Sequence, residues 1–118
     1  MVRSGRSTGE LLPLTPAVFH ILLTLADGER HGYSIMQEVE KRSESRISLG
    51  PGTLYTAIKR LLADGLIEET DERPDPALDD ERRRYYRLTP FGRRVAAAEA
   101  GRLESLVSEA RSRNLLPA

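Results

Sequence analysis

Between Pro51 and Ile67 the chain reads PGTLYTAIKRLLADGLI, and the side chains able to do chemistry there fall to one side of a helix. Leu54, Ile58, Leu61 and Leu62 recur at the spacing of a single helical face, while Thr53, Tyr55, Thr56, Lys59 and Arg60 lie off it. The polar set offers two cations, two hydroxyls and a phenol, with no carboxylate before Asp64. Such groups suit phosphate oxygens and base edges, so double-stranded nucleic acid is the expected partner. Catalysis is not expected. The chain has no nucleophile elbow, phosphate-binding glycine loop, HExxH helix or cysteine nucleophile. The two histidines, His20 and His31, lack metal-ligand neighbours at helical spacing, so neither a metal nor a cofactor is expected; His20 reads as a core or interface residue and His31 as part of a turn.

A second set of candidate contacts lies further on. Residues 82–94, RRRYYRLTPFGRR, hold arginines and no acid, and Arg82, Arg83 and Arg84 could reach a phosphate or a narrow minor groove. The run just before it is acidic, with Asp75, Asp79, Asp80 and Glu81 closest to the arginines. The 18 basic and 18 acidic residues therefore cancel in sum but are segregated along the chain. Solvated loops that neutralise one another across a hairpin are the competing reading of these runs.

The elements that must position these groups follow from the punctuation. A length of 118 residues with 39% hydrophobic content suits one small domain. Residues 1–13 show no periodicity and predict a flexible arm. Thr15-Pro16 is an N-cap followed by a first-turn proline, and it opens a helix that is apolar around most of its circumference until Asp27-Gly28. A second, amphipathic helix runs from His31-Gly32-Tyr33-Ser34 to about Arg42, and Ile47 with Leu49 fits a brief strand in the connection that follows. The third helix spans 51–64, Asp64-Gly65 ends it, and 66–70 and 84–88 pair as a hairpin, giving a wing over 66–88. Thr89-Pro90 repeats the Thr-Pro cap and launches a last helix over 90–113. There Ala96, Ala100, Leu103, Val107 and Ala110, with Leu106 beside them, form a narrow seam that wants a partner helix; packing back on the first helix is the alternative. Phe19 and Leu22 on the first helix extend the expected dimer surface.

Three helices and a hairpin in this order predict a mainly α (α+β) fold, a winged helix-turn-helix over 14–89 with a C-terminal dimerisation helix over 90–113 and a tail over 114–118. The absence of cysteine suits a reducing cytoplasm, no apolar run approaches the ~18 residues of a membrane span, and the N-terminus lacks the apolar core of a signal peptide. The expected location is cytoplasmic.

Specific residues sharpen the reading. Leu14-Thr15-Pro16, His31-Gly32-Tyr33-Ser34-Ile35, Pro51-Gly52-Thr53-Leu54-Tyr55 through Gly65-Leu66-Ile67, and Tyr85-Tyr86-Arg87-Leu88-Thr89 followed by Gly92 resemble, in order and spacing, the PadR family of transcriptional regulators. The resemblance covers most of residues 14–94 and implies a homodimeric regulator, usually a repressor, on a pseudo-palindromic operator. The short C-terminus is similar to the subgroup in which one last helix makes the dimer contact. It also places Tyr33 facing the DNA backbone; a partly buried core tyrosine is the plain alternative. The acidic loop departs from the short, basic wing of the family and puts minor-groove insertion in question. A small-molecule effector, if one acts, would lodge at the dimer interface near Phe19, Leu22, Leu23 and Leu103, although the chain has no tryptophan to wall an aromatic drug pocket. The rival to DNA reading is a winged-helix module that binds a protein or an effector without DNA.

Overall fold

The computed structural model describes residues 7–70 and 84–117. Both Thr-Pro signals act as caps. Thr15 Oγ1 accepts from the Val18 N–H at 3.2 Å to start α1, Pro16–Ala26, and Thr89 Oγ1 accepts from the Gly92 N–H at 2.9 Å to start α4, Pro90–Ser112. Between them lie β1, Arg30–His31; α2, Gly32–Arg42; α3, Pro51–Ala63; β2, Ile67–Thr70; and β3, Tyr85–Leu88. At the end of α3, Gly65 adopts φ +76°, and the Leu66 and Gly65 N–H groups return to the carbonyls of Leu61 and Leu62. That pair of bonds is a Schellman stop, and it turns the chain directly into β2.

The strands form one antiparallel sheet in the order β1-β3-β2, with Ile67 opposite Leu88 and His31 opposite Tyr85. Ile21, Leu22 and Leu25 of α1, Ile35 and Val39 of α2, and Leu54, Ile58 and Leu61 of α3 meet in a common core, closed by Leu66, Ile67, Tyr86 and Val95. Three helices with a sheet-bound hairpin make a winged helix-turn-helix.

Several expectations give way. The third strand is Arg30–His31, held by pairing to β3, and not a strand at Ile47–Leu49. Leu49 is buried in the core instead, and Ile47 is tied into a turn by its N–H bond to Ser43 Oγ at 3.0 Å. The expected arm is ordered from Thr8, where a 3-10 turn over Thr8–Leu11 lies along α4, and Leu11, Leu12 and Leu14 pack against the core. Residues 1–6 of that arm lie outside the described residues.

A buried carboxylate fastens this segment. Glu99 on α4 is 2% exposed, takes a two-point contact from Arg102 (Nε at 2.9 Å, Nη2 at 2.7 Å), and accepts from the Leu14 N–H at 3.4 Å. The Arg102 guanidinium, helped by the Leu14 amide, holds the Glu99 carboxyl below its ordinary value despite the opposing effect of burial.

Candidate nucleic-acid interface

The outward face of α3 starts from its N-terminus. Gly50 is the N-cap and supplies no side-chain bond, and Pro51 occupies the first turn, so no side chain of the helix occupies its leading amides. Thr53, Thr56, Lys59 and Arg60 are all exposed, whereas Leu54, Ile58 and Leu61 are buried beneath them. Lys59 and Arg60 carry no ion pair among the described residues, so both charges stand open. The result is a cationic, hydroxyl-bearing ridge on a rigid base.

Tyr55 belongs to this helix but not to its open face. Its ring is half-buried and packs over Gly32, the first residue of α2. Tyr33, next along α2, stands 36% exposed at the same end. His31 opens α2 as its N-cap, with Nδ1 accepting from the Ser34 N–H at 3.2 Å, and its ring meets Tyr85 edge-on at 5.5 Å. The sequence placed His31 in the turn but gave no sign of the capping bond, because histidine is an uncommon cap.

Between β2 and β3, cross-strand partners neutralise the described arginines. Arg87 Nε donates to Glu68 at 2.7 Å, its register partner, and Arg84 lies 3.8 Å from Glu69. Arg84 is thus exposed yet paired. Arg82, Arg83 and the acidic loop before them lie outside the described residues.

One feature of the face was not expected from sequence. A groove of about 940 Å³ runs beside α3, floored by Leu14, Val18, Leu49 and Leu61 and rimmed by Thr56 and Arg60. It exists because the ordered segment before α1 stands off from α3, which a reading of residues 1–13 as an arm could not anticipate.

The residues expected at a dimer surface divide into two sets. Leu22 is fully buried and Ala96 nearly so, both in the core of their own chain. Phe19 is half-buried against that core. Ala100 is exposed, Leu103 and Ala110 are half-buried, and Leu106 and Val107 are 50% and 37% exposed. The seam read from spacing is therefore a core contact in its first turns and an open apolar stripe in its last. With Leu22 inside, the expected effector surface is reduced to Phe19, Leu23 and Leu103.

Among the described residues no helix is long and apolar enough to cross a membrane, and no cluster of side chains could hold a metal ion. Residues 21–98 match the model of the transcriptional regulator PadR-like family. The chain belongs to that family. It is 41% identical over 90 residues to the transcriptional regulator Rv3488 of Mycobacterium tuberculosis, a match that covers 76% of this chain and 78% of that one. A PadR-family transcription regulator from Clostridium difficile R20291 shares the fold at a TM-score of 0.66 and 23% identity, over 83% of this chain and 97% of that one. The structure of Bacillus subtilis PadR in complex with operator DNA superimposes at a TM-score of 0.61 and 23% identity, over 73% of this chain and 47% of that one. This PadR-like regulator is thus a winged helix-turn-helix protein whose face on α3 is the place to look for its function.

Proposed function

We propose that this protein is a cytoplasmic, sequence-specific DNA-binding repressor that acts as a homodimer on a two-fold operator. The observation that carries the reading is the open face of α3, where Thr53, Thr56, Lys59 and Arg60 stand exposed with both cations unpaired among the described residues. A helix of this kind enters the major groove with its first turns toward the base edges. Gly50 and Gly52 keep its N-terminus free of bulk for close approach to a phosphate. Family membership and the operator complex of Bacillus subtilis PadR support the same reading.

Each subunit contributes one α3, and the apolar stripe of exposed Leu106 and Val107 with half-buried Leu103 and Ala110 supplies the contact between subunits. Two α3 helices held one turn of B-DNA apart, about 34 Å, would read the two half-sites. Because Arg84 and Arg87 are already paired with Glu69 and Glu68, the described part of the wing adds little charge, and α3 carries most of the phosphate attraction.

Selection of bound sequences from a random duplex pool at physiological salt tests the proposal. A two-fold motif with half-sites about ten base pairs apart is the expected result. Recovery of no motif would transfer the face to a protein partner, the rival reading.

A further inference from the structure

The contact between α2 and α3 at Gly32 is closer than packing needs to be. A methyl group built on Gly32 would stand 2.5 Å from Tyr55 Oη and 2.9 Å from Cε1 and Cζ, so a side chain here must push the end of the Tyr55 ring out of its place. Gly32 is also anchored on its other side. It follows directly on β1, where His31 pairs with Tyr85 of the wing, and it begins α2 under the His31 cap. Tyr55 lies between the exposed Thr53 and Thr56 in the first turns of α3. A chain of contacts therefore runs from wing strand β3 through His31 and Gly32 to the leading end of α3.

We propose that Gly32 and Tyr55 form a lock that sets the orientation of α3 relative to α2 and the wing, which makes Tyr55 a positioning residue and not a reader of bases. The inference rests on the DNA-reading function proposed above. Close-packed groups transmit displacement instead of absorbing it, so a ring lifted off Gly32 tilts α3. Hydrogen bonds to base edges are lost over a few tenths of an ångström, so a small tilt costs recognition at Thr53 and Thr56 together. A phosphate contact by Lys59, on a long flexible stem, tolerates that tilt far better.

A cycle of Gly32→Ala, Tyr55→Leu and the double variant tests the lock, read by thermal unfolding and by selection from the random duplex pool. Gly32→Ala should lower Tm, lose roughly tenfold in affinity for the selected motif, about one base contact's worth, and leave the salt slope unchanged. Tyr55→Leu removes the ring that clashes, so the double variant should recover much of the Tm and affinity that Gly32→Ala loses. Tyr55→Leu alone should still select the wild-type motif. Additive losses in the double variant would overturn the lock, and so would loss of preference at a single base pair in Tyr55→Leu, which marks a reader. If Gly32→Ala lowers Tm but leaves motif and affinity intact well below Tm, the contact is packing alone and the positioning role falls. The thermal cycle needs no DNA, so it decides the Gly32–Tyr55 contact even if the wild-type protein selects no motif; in that case it is the DNA-reading proposal that fails.

Discussion

Lys59 and Arg60 are adjacent in sequence and both face out of α3, and neither makes an ion pair among the described residues. Each phosphate contact by such a side chain releases condensed counterions, so Lys59→Ala should reduce the slope of log K against log salt by about one unit while leaving the selected motif unchanged. Equal slopes for wild type and variant, measured by titration between low and physiological salt, would remove Lys59 from the phosphate set. Glu99 belongs to stability instead of recognition. Its folded-state pKa is depressed, chiefly by Arg102, so the stabilisation it gives is present above the ordinary carboxylate value of about 4.3 and is lost as pH falls through the lower folded value. Glu99→Gln should have a lower Tm than wild type at pH 7, and the gap should close as melts are repeated below about pH 4. A gap that is constant with pH would mean that Glu99 contributes through packing only.

Among the elements, the crossing of β2 and α4 is the least tolerant of change. The Thr89 N–H donates to the Leu66 carbonyl at 3.1 Å, Thr89 Oγ1 donates to the Gly65 carbonyl at 2.6 Å, and a Cβ on Gly92 would drive into the Leu66 carbonyl oxygen. Backbone, not a flexible side chain, blocks the space. Gly92→Ala should therefore cost about 3 kcal/mol or more, lowering Tm by roughly 10 °C, as calorimetry would record. The elements themselves were largely legible in the sequence because their signals are local. Thr15-Pro16, Thr89-Pro90 and Asp64-Gly65 act through residues within one turn of each other, and α1, α3 and α4 begin and end where those signals stand. What was not legible depends on partners far along the chain. Arg30–His31 is a strand only because β3 pairs with it, whereas Ile47 and Leu49 have the right side chains and no strand beside them. Tyr55 falls on the polar side of the helical wheel, yet the missing side chain of Gly32 draws it inward. α1 is apolar nearly all round, so its sequence alone could not say that Leu22 turns to its own core and Leu23 to solvent.

For the molecule as a whole, the charge that cancels in sum is arranged by place. The described wing pairs Arg84 with Glu69 and Arg87 with Glu68, whereas Lys59 and Arg60 on α3 carry no ion pair among the described residues. The apolar surface is arranged in the same way, with Leu106, Val107, Leu115 and Leu116 exposed toward the far end of the chain while Val95 and Ala96 are buried at the near end of α4. In the proposed dimer, Leu106→Glu together with Val107→Glu should shift sedimentation from dimer to monomer and abolish tight operator binding. The same pair should leave the fold of each subunit intact, because neither side chain is in its core. A double variant that still sediments as a dimer would place the subunit contact elsewhere.

The crossing at Gly92 makes α4 a lever with its fulcrum at the root of the wing. A helix of 23 residues is about 34 Å long, so a tilt of about five degrees at the fulcrum sweeps its far end through about 3 Å. The relation also runs backwards: in the proposed dimer, a change in how the two far ends grip each other would return to Leu66 as a small rotation of β2. If the protein is the dimeric repressor proposed above, it can be released by leverage from its subunit contact, without any molecule entering the face of α3.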